Sequence, residues 1–372
     1  MRPKAMRTLV IAVTIGVLLA GLGLLSSPAD ATVTVPSTPT PTDGADGRVT
    51  AITRIGDRVY IGGAFTSVGG QPHAGLAALD ADSGRLVSTW RADVSGVVEA
   101  LAPSSDGTTL YVGGDFSAVG GAGRQRLAAV SAATGAVSDW SPGAGGGAVL
   151  ALAAAAGRVY AGGKFTSIGS TRRAHLAAVS SGGALDPAFD SGVDDPVWAL
   201  ALSPGGEILY AGGSFHAAGG QPRAHLAALS PSSGAASGWD PRVPCPVLGL
   251  GATSSAVYVA GGGGRVNGNA VLAYDAAGGA RLWAAHTNGN VQAVAPLAGA
   301  VYAGGHFSTV NGVLRRKAAA LDAASGQLLP WDPHPDSALG VWSLLGGGDS
   351  LWMGGDFTTL SGTSQPHVAR FR

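Results

Sequence analysis

From Arg48 onward, short apolar runs alternate with turn residues, and the alternation repeats in register with itself. Residues 196–239 show one copy: Val197-Trp198-Ala199-Leu200, then Leu209-Tyr210-Ala211-Gly212-Gly213-Ser214-Phe215, then His225-Leu226-Ala227-Ala228-Leu229, a Ser-Ser-Gly turn, and Trp239-Asp240-Pro241. Runs of roughly four to eight residues between Gly, Ser and Asp turns are strands, not helices. The Gly pair that ends the second run measures the period. It falls at Gly62, Gly113, Gly162 and Gly212, degenerately at Ala260-Gly261, then at Gly304 and Gly354. The steps are 51, 49, 50, 48, 44 and 50 residues. A period of about 50 with four short strands per copy predicts an all-β fold, a seven-bladed β-propeller of four-stranded antiparallel blades.

The first strand is of the type Val98-Glu99-Ala100-Leu101, and the third of the type Leu127-Ala128-Ala129-Val130. The fourth ends in a large aromatic: Trp90, Trp140, Phe189, Trp239, Trp283 or Trp331. Seven copies carry the first three strands and six carry the fourth, because Arg372 follows the third strand of copy seven. An unclosed ring would leave an exposed strand edge. Thr32-Val33-Thr34-Val35 alternates polar and branched residues, and is expected to supply the missing outer strand. A disordered N-terminus beside a three-stranded last blade is the alternative. Residues 36–47, rich in Pro, Thr and Gly, read as a linker. The expected organisation is a leader over 1–31, the closing strand and linker over 32–47, and the repeats over 48–372. Turns from first to second strand (Gly56-Asp57) and from third to fourth (Ser83-Gly84) are tight. Connections from second to third strand, such as 69–75 and 120–126, are longer, as are the crossings between copies. Both long sets emerge on one face of an antiparallel blade, and loops on a rigid scaffold are where binding residues sit.

With 46% hydrophobic and 12% charged residues, the chain is expected to pack a core rather than stay disordered. The formal net charge is zero, which gives no global attraction to nucleic acid or anionic lipid. At the N-terminus Arg2, Lys4 and Arg7 precede an apolar run from Leu9 to Leu25, and Ala29-Asp30-Ala31 follows. That is the pattern of an export signal cut after Ala31. The run falls short of the roughly 20 residues of a membrane span, so cleavage is expected rather than anchoring. The mature protein is expected to be secreted or at the cell surface, monomeric and without an integral span. Cys245 is the one cysteine, which excludes an internal disulfide and a cysteine zinc site. It is expected to be buried and inert.

Gly-Gly-x-Phe, a Gly-rich loop and an apolar third strand recur in register. Copy three into four carries them most fully: Gly183-Ala184-Leu185-Asp186-Pro187-Ala188-Phe189-Asp190, then Val197 to Ala201, then Gly205-Gly206-Glu207-Ile208-Leu209-Tyr210-Ala211-Gly212-Gly213-Ser214-Phe215. In these residues the chain resembles the delta-60 repeat family of secreted bacterial propeller proteins, from about Arg48 to the C-terminus. A looser likeness to kelch repeats rests on the Gly pair and the fourth-strand Trp. Both likenesses imply a propeller and neither implies a reaction. Copy five departs, with Gly263 where Phe is expected.

Gly-Gly-x-Phe lacks the helix and the Lys-Ser/Thr of a phosphate loop, so it reads as a strand end with a core Phe. Trp90 lies six residues after Gly84, off the docking pattern of quinoprotein propellers. Packing between blades is the expected role of this Trp, and no cofactor is expected. Ser104-Ser105-Asp106-Gly107-Thr108 misses the sialidase Asp-box by one residue and reads as a turn. Glu99 and Glu207 are the only glutamates, so a paired-carboxylate glycosidase would rely on Asp. His73, His175, His225 and His367 lie on separate loops without co-ligands, so no metal is expected.

The suggestive pattern is basic. The second-to-third loops carry Arg124 and Arg126; Arg172, Arg173 and His175; Arg223 and His225; and Arg315, Arg316 and Lys317. Ring symmetry would gather these candidate ligand-binding residues on one face, where they would meet an anionic extracellular protein or glycan. Alternatively they pair with Asp240, Asp332 and Asp194-Asp195 in the crossings. Glu99, Gln292, Trp198 and Trp342 alternate with small residues on first strands and are the ones to check for a convergent set at the channel mouth, which would favour an enzyme. The expected function is an exported binding or scaffold module. The alternatives are an extracytoplasmic enzyme, quinone-dependent or carbohydrate-active, with its site at that mouth, and a purely structural envelope protein. No residue is assigned as catalytic.

Overall fold

Each repeat opens with an antiparallel pair of strands, and the computed structural model shows it throughout residues 34–263, 268–337 and 339–372, which are the residues it describes. The leader expected over 1–31, and Thr32 and Val33, lie outside the described residues. Among the described residues there is no helix, hence none long and apolar enough to cross a membrane. In unit one Arg48–Ile55 pairs with Arg58–Ala64, and Leu76–Asp80 lies on the far side of the second strand. The later first strands are Val94–Pro103, Val149–Ala155, Val197–Leu202, Val247–Ala252, Val291–Leu297 and Val341–Gly347. The tight turn after the third strand is capped by the Asp that ends that strand: the Ser83 and Ser325 amides donate to Asp80 and Asp322 at 2.7 and 2.8 Å. Phe65, Phe116, Phe165, Phe215, Phe307 and Phe357 are all buried, as the Gly-Gly-x-Phe motif predicts.

The fourth segment departs from expectation. Among the described residues it forms a strand only in unit five, where Arg281–His286 pairs with Ala270–Asp275. Elsewhere it meets the sheet at one bridge, such as Leu79 with Leu86 or Leu321 with Leu328. Three strands and a bridged outer segment therefore replace the expected four. In unit one the segment turns away from the sheet at its aromatic. The Trp90 amide donates to the Val87 carbonyl at 2.9 Å, closing a turn where a ladder would continue. The indole then packs on Tyr60 with ring centroids 5.3 Å apart, and Trp331 does the same on Tyr302 at 5.0 Å. Such aromatic pairs contribute about 1 kcal/mol beyond their buried area. The indole N–H reaches across to the next unit: Trp90 donates to Ser131, Trp140 to Ser180 and Trp239 to Asp275, at 2.9 to 3.1 Å. Packing between blades is the role the sequence assigned to these residues.

Consecutive first strands lie side by side, and Val341–Gly347 packs against Arg48–Ile55. The first glycine of each pair makes room for this. A Cβ on Gly62 would overlap Val98 of unit two, and one on Gly354 would come within 2.7 Å of Val49 of unit one.

Of the expected closing strand, Thr32 and Val33 lie outside the described residues, and pairing is seen further along the chain. The Thr40 amide donates to the Arg370 carbonyl at 2.7 Å, and the Thr42 hydroxyl to the Val368 carbonyl at 3.1 Å. Val35 is engaged by the Tyr302 hydroxyl at 2.9 Å, and the Pro36 carbonyl accepts from the Trp331 indole at 3.2 Å. Pro39 and Pro41 have no N–H to offer, which leaves Thr40 as the donor. The stretch that reads as a linker thus also contacts the last strand.

Candidate functional site

Every first strand is broken at the same place. In unit one Val49 faces Gly63 and Ala51 faces Gly62, so Thr50 bulges without a partner. The same shift isolates Glu99, Leu150, Trp198, Leu248, Gln292 and Trp342. A bulge adds one residue to a strand and re-aims its side chain. The bare backbone of the Gly pair admits it, since a Cβ on Gly63 would overlap the Arg48 carbonyl. The seven bulged side chains are half-buried and line one cavity of about 240 Å³, with the two residues that follow each of them. The cavity lies towards the Gly-pair end of the strands, from which the long second-to-third connections leave. Glu99, Gln292, Trp198 and Trp342 are thus brought together.

Glu99 is the one lining residue that ionises. Burial pushes its carboxyl above the usual range; Arg48 and Lys164 pull it down and Asp115 pushes it up. Trp342 is fixed from three sides. Its indole N–H donates to Asp356 at 2.7 Å, the Arg48 guanidinium lies 4.8 Å over its ring, and the His306 ring meets it edge-on at 5.1 Å. Arg48 also pairs with Asp356 at 3.0 Å, joining units one and seven. His306 is held below its usual pKa by burial first, then by Lys317 and Arg48, against Asp356. The sequence offers no motif for this frame. The position after the Gly pair changes from Asp115 to Lys164 to His306 to Asp356, which reads as a variable surface position.

Eight of the ten basic loop residues fall into two equivalent positions. Arg124, Arg173, Arg223 and Arg315 occupy the first and tie the loop to the fourth segment. They donate to the carbonyls of Ser138, Phe189, Ser237 and Leu329 at 2.6, 2.7, 2.6 and 3.2 Å. Arg173 also pairs with Asp190 at 2.9 Å and Arg315 with Asp332 at 3.6 Å. Asp194 instead accepts from the His216 and Ala217 amides, and Asp240 faces Arg242 at 3.4 Å. Arg126, His175, His225 and Lys317 occupy the second position, each with φ between +63° and +66°. From there Arg126 pairs with Asp115 at 2.9 Å, and Lys317 Nζ donates to the His306 carbonyl at 3.3 Å. His175 Nδ1 lies 3.3 Å from the Gly163 carbonyl, and the His225 ring packs edge-on to His216 at 5.1 Å. Arg172 and Arg316 are exposed, and their side chains make no hydrogen bond or ion pair among the described residues. Cys245 is buried, and its thiol is pushed up to about 11 by burial. Among the described residues no group of three or more His, Cys, Asp or Glu is placed to hold a metal.

Residues 157–189 match the family described as "Domain of unknown function (DUF5122) beta-propeller". No curated protein matches the chain in sequence. The crystal structure of the WD40 β-propeller domain of Doa1 covers 90% of this chain with 96% of its own, at a TM-score of 0.58 and 13% identity. The fold is a β-propeller. At that identity the likeness to Doa1 concerns the fold alone. The sheets described above are therefore propeller blades, and the bulged residues line the space between the inner strands of the propeller.

Proposed function

We propose that the chain is a closed propeller of seven blades that works outside the membrane as a binding module. Closure is supported by the packing of Gly354 against Val49, which repeats at the chain ends the packing of Gly62 against Val98. The segment around Thr40 then completes blade seven. Export rests on the basic, apolar and small-residue order of residues 1–31. The observation that carries the binding reading is the bulge repeated in every first strand. Seven such bulges aim side chains into one cavity on the face that also carries the long connections. A rigid ring with adaptable loops and a central polar and aromatic hollow suits contact with an extracellular protein or glycan. Anionic groups of that partner meet Arg172 and Arg316, while the other basic candidates hold the loops.

The test is capture from a cell-envelope fraction on immobilised protein. Trp198→Ala with Gln292→Ala should lose the captured partner, and Arg172→Glu with Arg316→Glu should weaken it. Arg54→Ala, an exposed change near the tight-turn end, should leave it intact. Equal capture by all of these variants would remove the mouth and its rim from the binding surface.

A further inference from the structure

We propose that the cavity at the mouth takes a primary ammonium group on an alkyl chain, as at the end of a lysine side chain of a protein partner, with Glu99 as its counter-ion and Trp198 as a wall. The proposal rests on the reading of this face as the contact surface. Three observations carry it. First, the Glu99 carboxylate makes no hydrogen bond among the described residues, although it is half-buried. A carboxylate withdrawn from water needs donors, and an ammonium supplies three. Second, two of the three neighbouring charges are already engaged. Arg48 is held by Asp356 and lies on Trp342, and Asp115 is paired with Arg126. Lys164 is exposed at the rim. An anion entering the cavity would meet Glu99, whereas a cation would be neutralised by it.

Third, the walls suit a slender stem. Leu150 and Leu248 line the cavity beside Trp198, whose faces make no ring or cation contact among the described residues. Indole faces attract cations. The cavity of about 240 Å³ has room for the end of an alkylammonium chain between these walls. The groups facing Glu99 are Arg48, Lys164 and Asp115, and burial raises its carboxyl. Ammonium binding should therefore weaken as the pH falls through that raised carboxylate range.

Calorimetric titration of the purified protein at neutral pH tests this, with butylammonium, Nα-acetyl-lysine methylamide, butanol and glucosamine as probes. Both alkylammonium probes should bind saturably and more tightly than butanol or glucosamine. Glu99→Gln should weaken them by at least about tenfold while leaving butanol unchanged. Its melting temperature should equal or exceed that of the parent, because an unpaired half-buried charge is removed. Trp198→Ala should give a second loss without altering the charge. Absence of saturable ammonium binding, equal binding by Glu99→Gln, or tighter binding of glucosamine would overturn the proposal. If envelope capture persists without ammonium binding, only this inference falls. If ammonium binds at the mouth but nothing is captured from the envelope, only the module reading falls.

Discussion

A methyl group on Gly62 would have to occupy space filled by Val98 of the next blade. Gly62→Ala should therefore cost about 1–3 kcal/mol, read from urea denaturation, and Val98→Ala should return part of that loss when combined with it. Independent effects would mean that the two residues do not meet. The loop arginines separate on the same scale. Arg223→Met removes the bond to the Ser237 carbonyl and should cost about 1 kcal/mol. Arg316→Met removes no contact of that kind and should leave the urea midpoint unchanged. His73, His225 and His306 are each held below the ordinary 6.5, by burial first and then by Arg91, His216 and Lys317 respectively. The fold thus favours their neutral forms. The unfolded chain takes up protons near 6.5, so the stability they provide is full above that pH and declines below it. His306→Asn should flatten part of the decline, measured by denaturation from pH 7 down to about 5. Glu99 acts in the opposite sense, because stability lost to its unpaired charge returns as the pH falls through its raised value.

Three elements of each blade were legible because Gly, Ser and Asp turns bound every run and the Gly pair fixes the register. The fourth was not, because outside unit five its strand-like sequence makes a single bridge to the third strand, such as Leu79 with Leu86. The contact made by the expected linker was hidden for a related reason. Thr32–Val35 has the alternation of a strand, yet a ladder contact is made by Thr40, which stands between two prolines and reads as linker. Composition cannot show that Tyr302 and Trp331 engage Val35 and Pro36 first. Deleting residues 34–44 should consequently do more than trim a tail. It strips the Trp331 indole of its acceptor and Arg370 of its bridge, and should lower stability by about 3 kcal/mol in urea denaturation. Removal of residues 1–31 alone should have no such effect. Equal stability of the two truncated proteins would mean that this segment does not hold the last repeat.

Across the whole molecule, repetition turns one local irregularity into a site. A single bulge at Thr50 would be a detail; the same bulge in every blade brings Glu99, Gln292, Trp198 and Trp342 to one cavity. Those four could be picked from the sequence because each large residue stands beside a small one on a first strand. The frame that fixes Trp342 could not, since Arg48 and Asp356 lie 308 positions apart and meet only where the two ends of the repeat array come together. The same pair offers the most direct test of ring closure. Arg48→Cys with Asp356→Cys, in a Cys245→Ala background, can be treated in dilute solution with a short bifunctional thiol reagent. A closed ring gives an intramolecular cross-link under native conditions that disappears in denaturant. Failure to cross-link, or cross-linking only between separate molecules, would show that blades one and seven do not meet.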